Sequence, residues 1–243
     1  LGLCEQGELP FVQEVFASAT GVSKLYSETD CAIELGGEDA KILFFQGSVE
    51  QRMNSTCAGG TGAFIDQMAT LLNMSLEEMN EASLNYHRLY PIASRCGVFA
   101  KTDIQPLINQ GVDKCDLCAS IFQAVVDQTI TSLAQGRKIE GNILFLGGPL
   151  YFMSGLRNRF VETLKLSDAQ VNCPETAINF VALGTALCAD KEYTYDELYK
   201  ILEDLVHAPA KLAESKPLFE SEEDYQKFIE RHKSHDAKYA KLK

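Results

Sequence analysis

Apolar positions recur along the chain at two periods, and these periods predict both helices and strands. Residues 10–25 carry apolar side chains at helical spacing. The segments CAIELGG and AKILFFQGSVEQRM have the pattern of β-strands, with turns at Gly36-Gly37 and at Gln46-Gly47. Together these segments predict the opening hairpin of a sheet.

The middle of the chain has helical periodicity. Residues 61–73 place apolar side chains on one side of a predicted helix. Ser75 and Glu78 have the spacing of a capping box, which predicts the start of a second helix. Residues 113–135 predict a longer helix that ends at Gly136.

Strands and helices alternate in the next part of the chain. NILFLGGP predicts a short strand, GLRNRFVETLKL an amphipathic helix, AQVNCP a strand, and ETAINFVALGTALCA a mostly apolar helix. This alternation predicts an α/β architecture in layers. After Asp190 the composition changes to charged helical segments, which we interpret as a linker or a partner-facing tail.

Composition and charge narrow the classes of function. With 243 residues, 46% of them hydrophobic, the chain is long enough to bury a sizeable core. The net charge of −12 and the lack of a basic stripe argue against nucleic acid as a partner. The apolar runs are too short to predict a membrane span, and no signal segment is evident, so we expect a cytoplasmic protein. The eight cysteines suggest reduced thiols or metal ligands rather than a disulfide framework.

A pair of glycines ends the first predicted strand, in the segment IELGGEDAK. Because Gly36 and Gly37 lack side chains, their backbone N–H groups are able to approach an anion such as a nucleotide phosphate. Glu38 and Asp39 follow directly, and carboxylates in this place suit a magnesium ion or its waters. A tight turn gives the same pattern, so this pair alone leaves a purely structural role open.

The segment LFLGGPL repeats this arrangement after a later strand and leaves bare backbone for a flat adenine or ribose. A third glycine-rich segment, AGGTG, leads into the helix that begins near Gly62. Three such segments together favour nucleotide binding. The predicted nucleotide-binding residues are Gly36, Gly37, Gly59, Gly60, Thr61, Gly62, Gly147 and Gly148, and the predicted catalytic carboxylates are Glu38 and Asp39.

Cys57 lies directly before AGGTG, and the residues alone leave packing, a nucleophile and a metal ligand open. Free N–H groups in the first turn of the following helix would favour a thiolate. A nucleophile requires an adjacent base, and none of the four histidines has an evident connection to Cys57. A metal site requires a second thiolate, which Cys96 offers next to Arg95 and Gly97. Because an iron–sulfur cluster normally takes four thiolates, two per chain suffice across the axis of a symmetric dimer.

The remaining cysteines have simpler interpretations. Cys115 and Cys118 form a CxxC pair within a predicted helix, where buried thiols are favoured over redox or zinc chemistry. The other four occur singly in apolar or strand contexts and are predicted to be packing residues: Cys4, Cys31, Cys173 and Cys188.

The ordered segments IELGGEDAK, NSTCAGGTGAF, RCGVFAKTDIQPLI, LFLGGP and ETAINFVALGTAL resemble the ATP-dependent activators of 2-hydroxyacyl-CoA dehydratases and benzoyl-CoA reductases. These form the BadF/BadG/BcrA/BcrD ATPase family, within the superfamily of acetate and sugar kinases, Hsc70 and actin. The resemblance covers residues 10–190. It implies an actin-like, ribonuclease H-like lobe with a mixed sheet and flanking helices, and a site for ATP or ADP with Mg²⁺.

The same resemblance implies a homodimer that holds one [4Fe-4S] cluster through Cys57 and Cys96 of each chain. In such proteins, ATP binding and hydrolysis rearrange the helices beside the cluster and drive a low-potential electron into a dehydratase or reductase. An alternative is a cluster-free member of the superfamily, either a small-molecule kinase or a nucleotide-sensing regulatory domain.

The chain departs from the family pattern in two places. The family opens with an Asp-x-Gly-Ser-Thr phosphate loop, and none precedes IELGGEDAK, so we expect the first lobe to be largely missing and ATP turnover to require a longer parent protein. Residues 1–28 would end the first lobe, 29–190 would form the second lobe, and 191–243 would be a charged helical linker or tail. Glu38 also replaces a more usual glutamine, which leaves its hydrolytic role open.

Overall fold

The computed structural model describes four stretches of the chain: residues 2–54, 60–93, 97–207 and 217–233. The chain divides into two compact units. The larger unit runs from Pro10 to Glu192, and the smaller one consists of Leu1–Leu9 with Tyr193–Lys243.

The larger unit is built on a mixed sheet of five strands. In chain order these are β1 (Cys31–Leu35), β2 (Ala40–Phe44), β3 (Glu50–Met53), β4 (Ile143–Leu146) and β5 (Val171–Asn172). Their order across the sheet is β3-β2-β1-β4-β5. The β1–β2 and β2–β3 pairs are antiparallel, whereas the β1–β4 and β4–β5 pairs are parallel. An antiparallel meander extended by parallel strands is the sheet of a ribonuclease H-like lobe, which confirms the predicted fold class.

The central strands are apolar because both of their faces are covered. Every residue of β1, β2 and β4 is buried, and strands in such a position show continuous apolar runs rather than alternation. β3 lies at the edge of the sheet and alternates between half-buried and exposed residues. The register pairs Glu34 of β1 with Lys41 of β2, so two charged residues face each other inside an apolar sheet.

Helices cover the sheet and make up the smaller unit. In chain order they are α1 (Gly2–Gln6), α2 (Glu14–Leu25), α3 (Gly62–Leu72), α4 (Leu76–Ser83), α5 (Gly97–Asn109), α6 (Lys114–Thr129), α7 (Gly148–Phe152), α8 (Ser154–Leu164), α9 (Phe180–Cys188), α10 (Tyr195–His207) and α11 (Glu222–Lys233). A π-helical turn, Ile130–Ala134, continues α6, and 3₁₀ turns precede β5 and α9 at Asp168–Gln170 and Glu175–Asn179.

The two faces of the sheet carry cores of different size. On one face α2 packs against α9 over a small core that includes Val22, Leu43 and Phe180. On the other face α3, α4, α6 and α8 enclose the main core, in which Phe122 and Phe160 are fully buried. The larger unit is therefore a three-layer α/β/α structure, as the alternating pattern predicted.

Most predicted elements of the larger unit are confirmed. The hydroxyl of Ser75 accepts the Glu78 N–H at 3.1 Å, and the Glu78 carboxylate accepts the Ser75 N–H at 2.8 Å, so the capping box is formed. The helix predicted over residues 113–135 is α6 with its π-helical end. The sequence pattern did not predict α5, because Pro106 lies inside it and Ala100 and Ile104 are its two fully buried residues.

The smaller unit is helical where the structure describes it, as predicted for the tail. α10 is amphipathic, and Tyr195, Tyr199 and Val206 on it are exposed. Next to α11, the ring of Phe219 contacts the rings of Tyr225 and Phe228.

One stretch of the described chain, Lys114–Ala134, is long and apolar enough to cross a membrane by length and composition alone. Of its most apolar window, 67% is buried inside the protein. This stretch is α6 with its π-helical turn, which packs at the centre of the main core, and the core helix of a globular domain passes the same test.

Candidate functional site

A cleft of about 630 Å³ opens where the parallel strands β1 and β4 end. Its walls come from the turn after β1, the first turns of α3 and α4, and α7. In open α/β sheets, ligands bind beyond the carboxyl ends of the strands, so the position of this cleft is that of a ligand site.

The turn Gly36–Asp39, which we call the GGED turn, forms one wall of the cleft. The N–H of Gly36 donates to the Asp39 carbonyl at 2.8 Å and closes the turn. A Cβ atom at Gly36 would lie 2.1 Å from Asp39 Oδ1, whereas one at Gly37 would meet nothing within 4 Å. Gly36 is therefore required by the packing of the turn itself, and Gly37 offers open backbone to the cleft.

The start of α3 is hydrogen-bonded to this turn. The N–H groups of Gly62 and Ala63 donate to the carbonyls of Gly36 and Gly37 at 2.9 and 2.7 Å. The expectation that the first-turn N–H groups of this helix are free to face a thiolate is therefore wrong for these two residues. These N–H groups donate to backbone carbonyls 26 residues earlier in the chain, and the local sequence pattern could not reveal such distant partners.

The second glycine pair follows β4 and has a different geometry. Gly147 has a φ of +88°, and a Cβ atom there would lie 2.0 Å from the Leu35 carbonyl oxygen. Its N–H donates to the Ala177 carbonyl at 3.0 Å. Gly148 begins α7 and lines the cleft, and a Cβ atom at this residue would meet nothing within 4 Å. The prediction of bare backbone after β4 therefore matches the geometry at Gly148.

Carboxylates lie on one part of the cleft wall and apolar side chains on another. The acidic residues are Glu38, Asp66 and Glu77. The apolar residues are Leu76, Pro149, Phe152 and Met153. Within the described residues, no three His, Cys, Asp or Glu side chains are grouped closely enough to hold a metal ion directly. Sequence reasoning missed Asp66, although its position one helical turn after Gly62 could have indicated it.

The two predicted catalytic carboxylates occupy different environments. Glu38 is exposed and lines the cleft. Asp39 is half-buried, and its Oδ2 lies 3.3 Å from Lys41 Nζ. Asp39 is thus directed to an internal cation, and the assignment of both residues to catalysis stays a prediction.

Lys41 is the centre of a buried ionic network that the sequence analysis did not identify. Its side chain is 1% exposed, and its Nζ lies 2.9 Å from Glu34 Oε1 and also contacts the Glu14 carboxylate. The Ser18 hydroxyl donates to Glu34 Oε2 at 3.1 Å. Burial by itself lowers the pKa of Lys41, but the carboxylates of Glu34, Glu14 and Asp39 outweigh burial and raise this pKa above its ordinary value. The sequence did contain a signal for this network, because a lysine and a glutamate occur within otherwise apolar predicted strands.

Two further predicted residues, Gly60 and Thr61, lie directly before α3. Gly60 has a φ of +82°, and a Cβ atom there would lie 3.0 Å from Gln128 Cγ. Thr61 is fully buried at the N-cap of α3, where its carbonyl accepts the Ile65 N–H at 3.2 Å. Neither residue lines the cleft, and their assignment to nucleotide binding stays a prediction.

Cys57, Cys96 and Gly59 lie outside the described residues, but the helices that follow the two cysteines are described. α3 begins five residues after Cys57, and α5 begins directly after Cys96. A Cβ atom at Gly97 would lie 3.6 Å from Cδ2 of Phe64, which is in the first turn of α3. The starts of the two helices therefore meet, and this geometry is compatible with two cysteines that serve one site.

Of the described cysteines, Cys31 and Cys118 are buried as predicted, whereas the prediction of a buried thiol is wrong for Cys115. Cys31 and Cys118 are buried, and burial raises the pKa of each thiol to about 12. The Cys118 sulfur lies 3.8 Å from Met74 Sδ. Cys115 is only half-buried, and burial together with the neighbouring carboxylate of Asp113 raises its pKa. These thiols stay protonated at neutral pH, which argues against a reactive thiolate at the CxxC pair.

Sequence comparison finds that the chain is similar to activators of CoA-dependent dehydratases. The chain is 28% identical over 189 residues to the 2-hydroxyisocaproyl-CoA dehydratase activator of Clostridioides difficile, a match that covers 76% of this chain and 67% of that protein. It is 29% identical over 183 residues to the (R)-2-hydroxyglutaryl-CoA dehydratase activating ATPase of Acidaminococcus fermentans, covering 74% and 68% of the two chains. The matches thus span about two thirds of the length of these relatives.

Solved structures agree with the sequence comparison. The crystal structure of component A of the Acidaminococcus fermentans (R)-2-hydroxyglutaryl-CoA dehydratase superposes with a TM-score of 0.66 at 29% identity, over 73% of this chain and 68% of that one. The activator of the Clostridium difficile 2-hydroxyisocaproyl-CoA dehydratase with bound ADPNP gives a TM-score of 0.65 at 25% identity, over 82% and 70%. The family model for the BadF/BadG/BcrA/BcrD ATPases matches residues 5–189. This chain therefore belongs to the BadF/BadG/BcrA/BcrD ATPase family.

Proposed function

We propose that this chain acts in an ATP-dependent activator, which delivers a low-potential electron from a dimer-bridging [4Fe-4S] cluster to a dehydratase or reductase that acts on a CoA substrate. The activator role is supported by the relatives, which are named as activators of such dehydratases. The observation that carries the finer proposal is the proximity of Gly97 to Phe64, where a Cβ atom at Gly97 would lie 3.6 Å from the Phe64 ring, because the helices that follow Cys57 and Cys96 begin at these places.

The cleft between the two glycine pairs is the proposed site for ATP or ADP. A related activator was solved with bound ADPNP. In this chain Gly37 and Gly148 present open backbone to the cleft, where phosphate and ribose groups would approach. The apolar wall of Leu76, Phe152 and Met153 suits the flat face of a nucleobase.

Carboxylates beside this site suit Mg²⁺ held largely through water. Mg²⁺ keeps several of its waters and usually takes one or two carboxylates plus substrate phosphates. Glu38 lines the cleft next to Gly37 and is the proposed carboxylate for the metal's waters. We also retain Asp39 as a residue of the reaction, and its contact with Lys41 supports a role in holding the GGED turn.

Cys57 and Cys96 of two chains would supply the four thiolates of the cluster. A bound [4Fe-4S] cluster supplies a one-electron donor whose potential depends on charge, hydrogen bonds and solvent exposure. Val98 and Phe99, directly after Cys96, have side chains that are 70% and 65% exposed. Apolar side chains in such a position favour a second chain, or the electron acceptor, as a partner at this surface. We place the activity in the cytoplasm, where thiols stay reduced.

Iron content after anaerobic reconstitution tests this proposal. The protein is expected to turn brown and to gain iron and sulfide, and Cys57→Ser and Cys96→Ser are each expected to abolish the colour. Cys115→Ser is the matched control, because Cys115 is another accessible thiol and should be dispensable. A colourless dimer after careful reconstitution would contradict the electron-transfer function and favour a cluster-free kinase or nucleotide sensor.

A further inference from the structure

β3 is the outer strand of the sheet, and in the described part of the chain no strand pairs with its outer side. The Asn54 N–H donates to the Ala40 carbonyl at 3.1 Å on the inner side. Residues that bond to the neighbouring strand alternate with residues that do not, so Arg52 bonds to β2 as Asn54 does. The N–H and carbonyl groups of Gln51 and Met53 therefore point to the open edge.

One face of this edge carries exposed apolar side chains. Val49, directly before β3, and Met53, its last residue, are both exposed. Side chains alternate along a strand, so these two residues share a face with Gln51. On this face a groove of about 540 Å³ separates β3 from α2, and the exposed ring of Phe16 lines it together with Val49 and Gln51. The edge segment VEQRM has neither the proline nor the lysine that often protects an open edge.

The order of side chains along this segment is complementary to its own reverse. VEQRM is apolar, acidic, polar, basic and apolar. When two copies pair antiparallel about Gln51, Glu50 faces Arg52 of the second copy, and Val49 faces Met53 of the second copy. Opposite charges across a strand pair stabilise it, and like charges destabilise it. A register centred on Glu50 or on Arg52 would oppose two carboxylates or two guanidinium groups, so the charges favour the register centred on Gln51.

Both charged side chains are already held in place. Arg52 Nη2 lies 2.6 Å from Glu50 Oε1, and Arg52 Nη1 donates to the Leu133 carbonyl at 3.2 Å. Glu50 also contacts Arg137. The hydrogen bond from Arg52 is the main reason that the pKa of Glu50 lies below its ordinary value, so Glu50 is charged at neutral pH. A partner that meets ordered charges loses less side-chain entropy on binding.

We propose that the outer edge of β3 is a docking surface for a second copy of this chain, which continues the sheet across a two-fold axis at Gln51. Each Gln51 N–H donates to the Gln51 carbonyl of the other copy, and the pairing of Val49 with Met53 covers apolar surface beside the groove. Such an interface uses the same residues on both copies. Because the contact is short, the association depends on protein concentration. This inference goes beyond the proposed function and requires neither nucleotide nor cluster.

Sedimentation velocity of the iron-free protein over a range of concentrations tests the proposal. The unmodified protein is expected to form a reversible dimer. Gln51→Pro removes an N–H group that does not bond to β2, and proline is accepted on the open side of an edge strand. This variant should keep its fold by circular dichroism and weaken the dimer roughly tenfold or more, because the central backbone bonds are lost. Gln51→Ala is the matched control, since it keeps the N–H group and should dimerise like the unmodified protein.

A pair of charged variants tests the position of the two-fold axis. In Gln51→Lys and in Gln51→Glu, each copy would place a like charge opposite itself, so each variant alone should dimerise more weakly than the unmodified protein. An equal mixture of the two should recover the dimer as a mixed pair of one lysine and one glutamate chain. Residue 51 is exposed, so neither change disturbs the core, and this mixture decides the question if Gln51→Pro fails to fold.

Three results would overturn the edge pairing. They are a protein that stays monomeric at every concentration, a dimer that is unchanged in folded Gln51→Pro, and a mixture of the charged variants that forms no mixed pair. Iron uptake takes no part in this experiment. Loss of the edge pairing therefore leaves the electron-transfer function untouched, and a protein that takes up no iron is still expected to pair through β3.

Discussion

The glycine pairs after β1 and β4 look alike in the sequence and are held by different contacts. Gly36-Gly37 lies in a turn bound through hydrogen bonds to Asn54 and to the start of α3, and through Asp39 to a buried lysine. Gly147-Gly148 is fixed by the backbone, with a φ of +88° at Gly147 and close contact with the Leu35 carbonyl. The first pair forms an adjustable turn, because the atom closest to Gly36 belongs to the Asp39 side chain, which is able to rotate. The second pair forms a rigid corner, because Gly147 packs against the Leu35 backbone.

In both pairs the first glycine is needed for protein packing and the second faces the cleft. In each, the first glycine is required by neighbouring protein atoms, because a Cβ would lie 2.1 Å or 2.0 Å from an oxygen. At the second glycine of each pair, an added Cβ atom would meet no protein atom within 4 Å, and this glycine lines the cleft. A strand that ends in two glycines thus combines one residue for the fold with one for the ligand.

The largest expected effect is that of Gly147→Ala. The substitution adds backbone strain at a positive φ and a clash with a backbone oxygen that has no freedom to rotate away. Each effect costs about 1–3 kcal/mol, so the free energy of unfolding should fall by about 4 kcal/mol. Urea denaturation checks this value, and a loss below about 1 kcal/mol would contradict the rigid-corner interpretation.

The next effect concerns Lys41→Met, which leaves Glu34 buried without its cation. Breaking a buried pair costs about 3 kcal/mol in unfolding free energy. Because the folded pKa of Lys41 is raised, its contribution is complete below the ordinary value of 10.5 and is lost as pH rises through the folded pKa. The difference between wild type and Lys41→Met should therefore be constant near neutral pH and shrink at strongly alkaline pH.

The exposed Lys138 provides the control for this prediction. Lys138→Met should change the unfolding free energy by less than about 0.5 kcal/mol at either pH. An equal loss in the two variants would mean that the buried network does not stabilise the fold.

A smaller loss is expected for Gly36→Ala. The added methyl group meets Asp39 Oδ1, a side-chain atom that is able to rotate away if it gives up its contact with Lys41. Overpacking of this kind costs about 1–2 kcal/mol. Urea denaturation of Gly36→Ala and Gly147→Ala compares the two losses of unfolding free energy. A larger loss for Gly36→Ala would contradict the view that the turn after β1 is the more adjustable one.

The smallest effects on stability are expected for Gly37→Ala and Gly148→Ala. Neither methyl group meets protein atoms within 4 Å, so unfolding free energies should change by less than about 0.5 kcal/mol. Both methyl groups would occupy space that a nucleotide needs, so affinity for Mg-ADPNP, measured by calorimetry, should fall clearly in each. Unchanged affinity in both variants would contradict the proposal that the nucleotide binds in this cleft.

The sequence predicted the elements whose signals are local. The capping box at Ser75 and Glu78 and the alternation of strands and helices after residue 140 depend on neighbours a few positions away. The placement of glycine pairs at strand ends was likewise predicted from local pattern, and Gly37 and Gly148 do line one cleft.

What the sequence did not predict depends on distant partners. The first-turn donors of α3 are satisfied by Gly36 and Gly37, and Lys41 meets Glu14 from a helix 27 positions earlier in the chain. Nothing in the local pattern of either segment specifies such a partner. α5 was missed for another reason, because Pro106 inside a helix has the appearance of a break.

The proposed electron transfer depends most on whether two chains share one cluster. Native mass spectrometry of the anaerobically reconstituted protein measures chain number and bound inorganic mass together. We predict a dimer that carries the mass of one [4Fe-4S] cluster and loses it in both Cys57→Ser and Cys96→Ser. A monomer with its own complete cluster, or a dimer of purely polypeptide mass, would contradict this proposal.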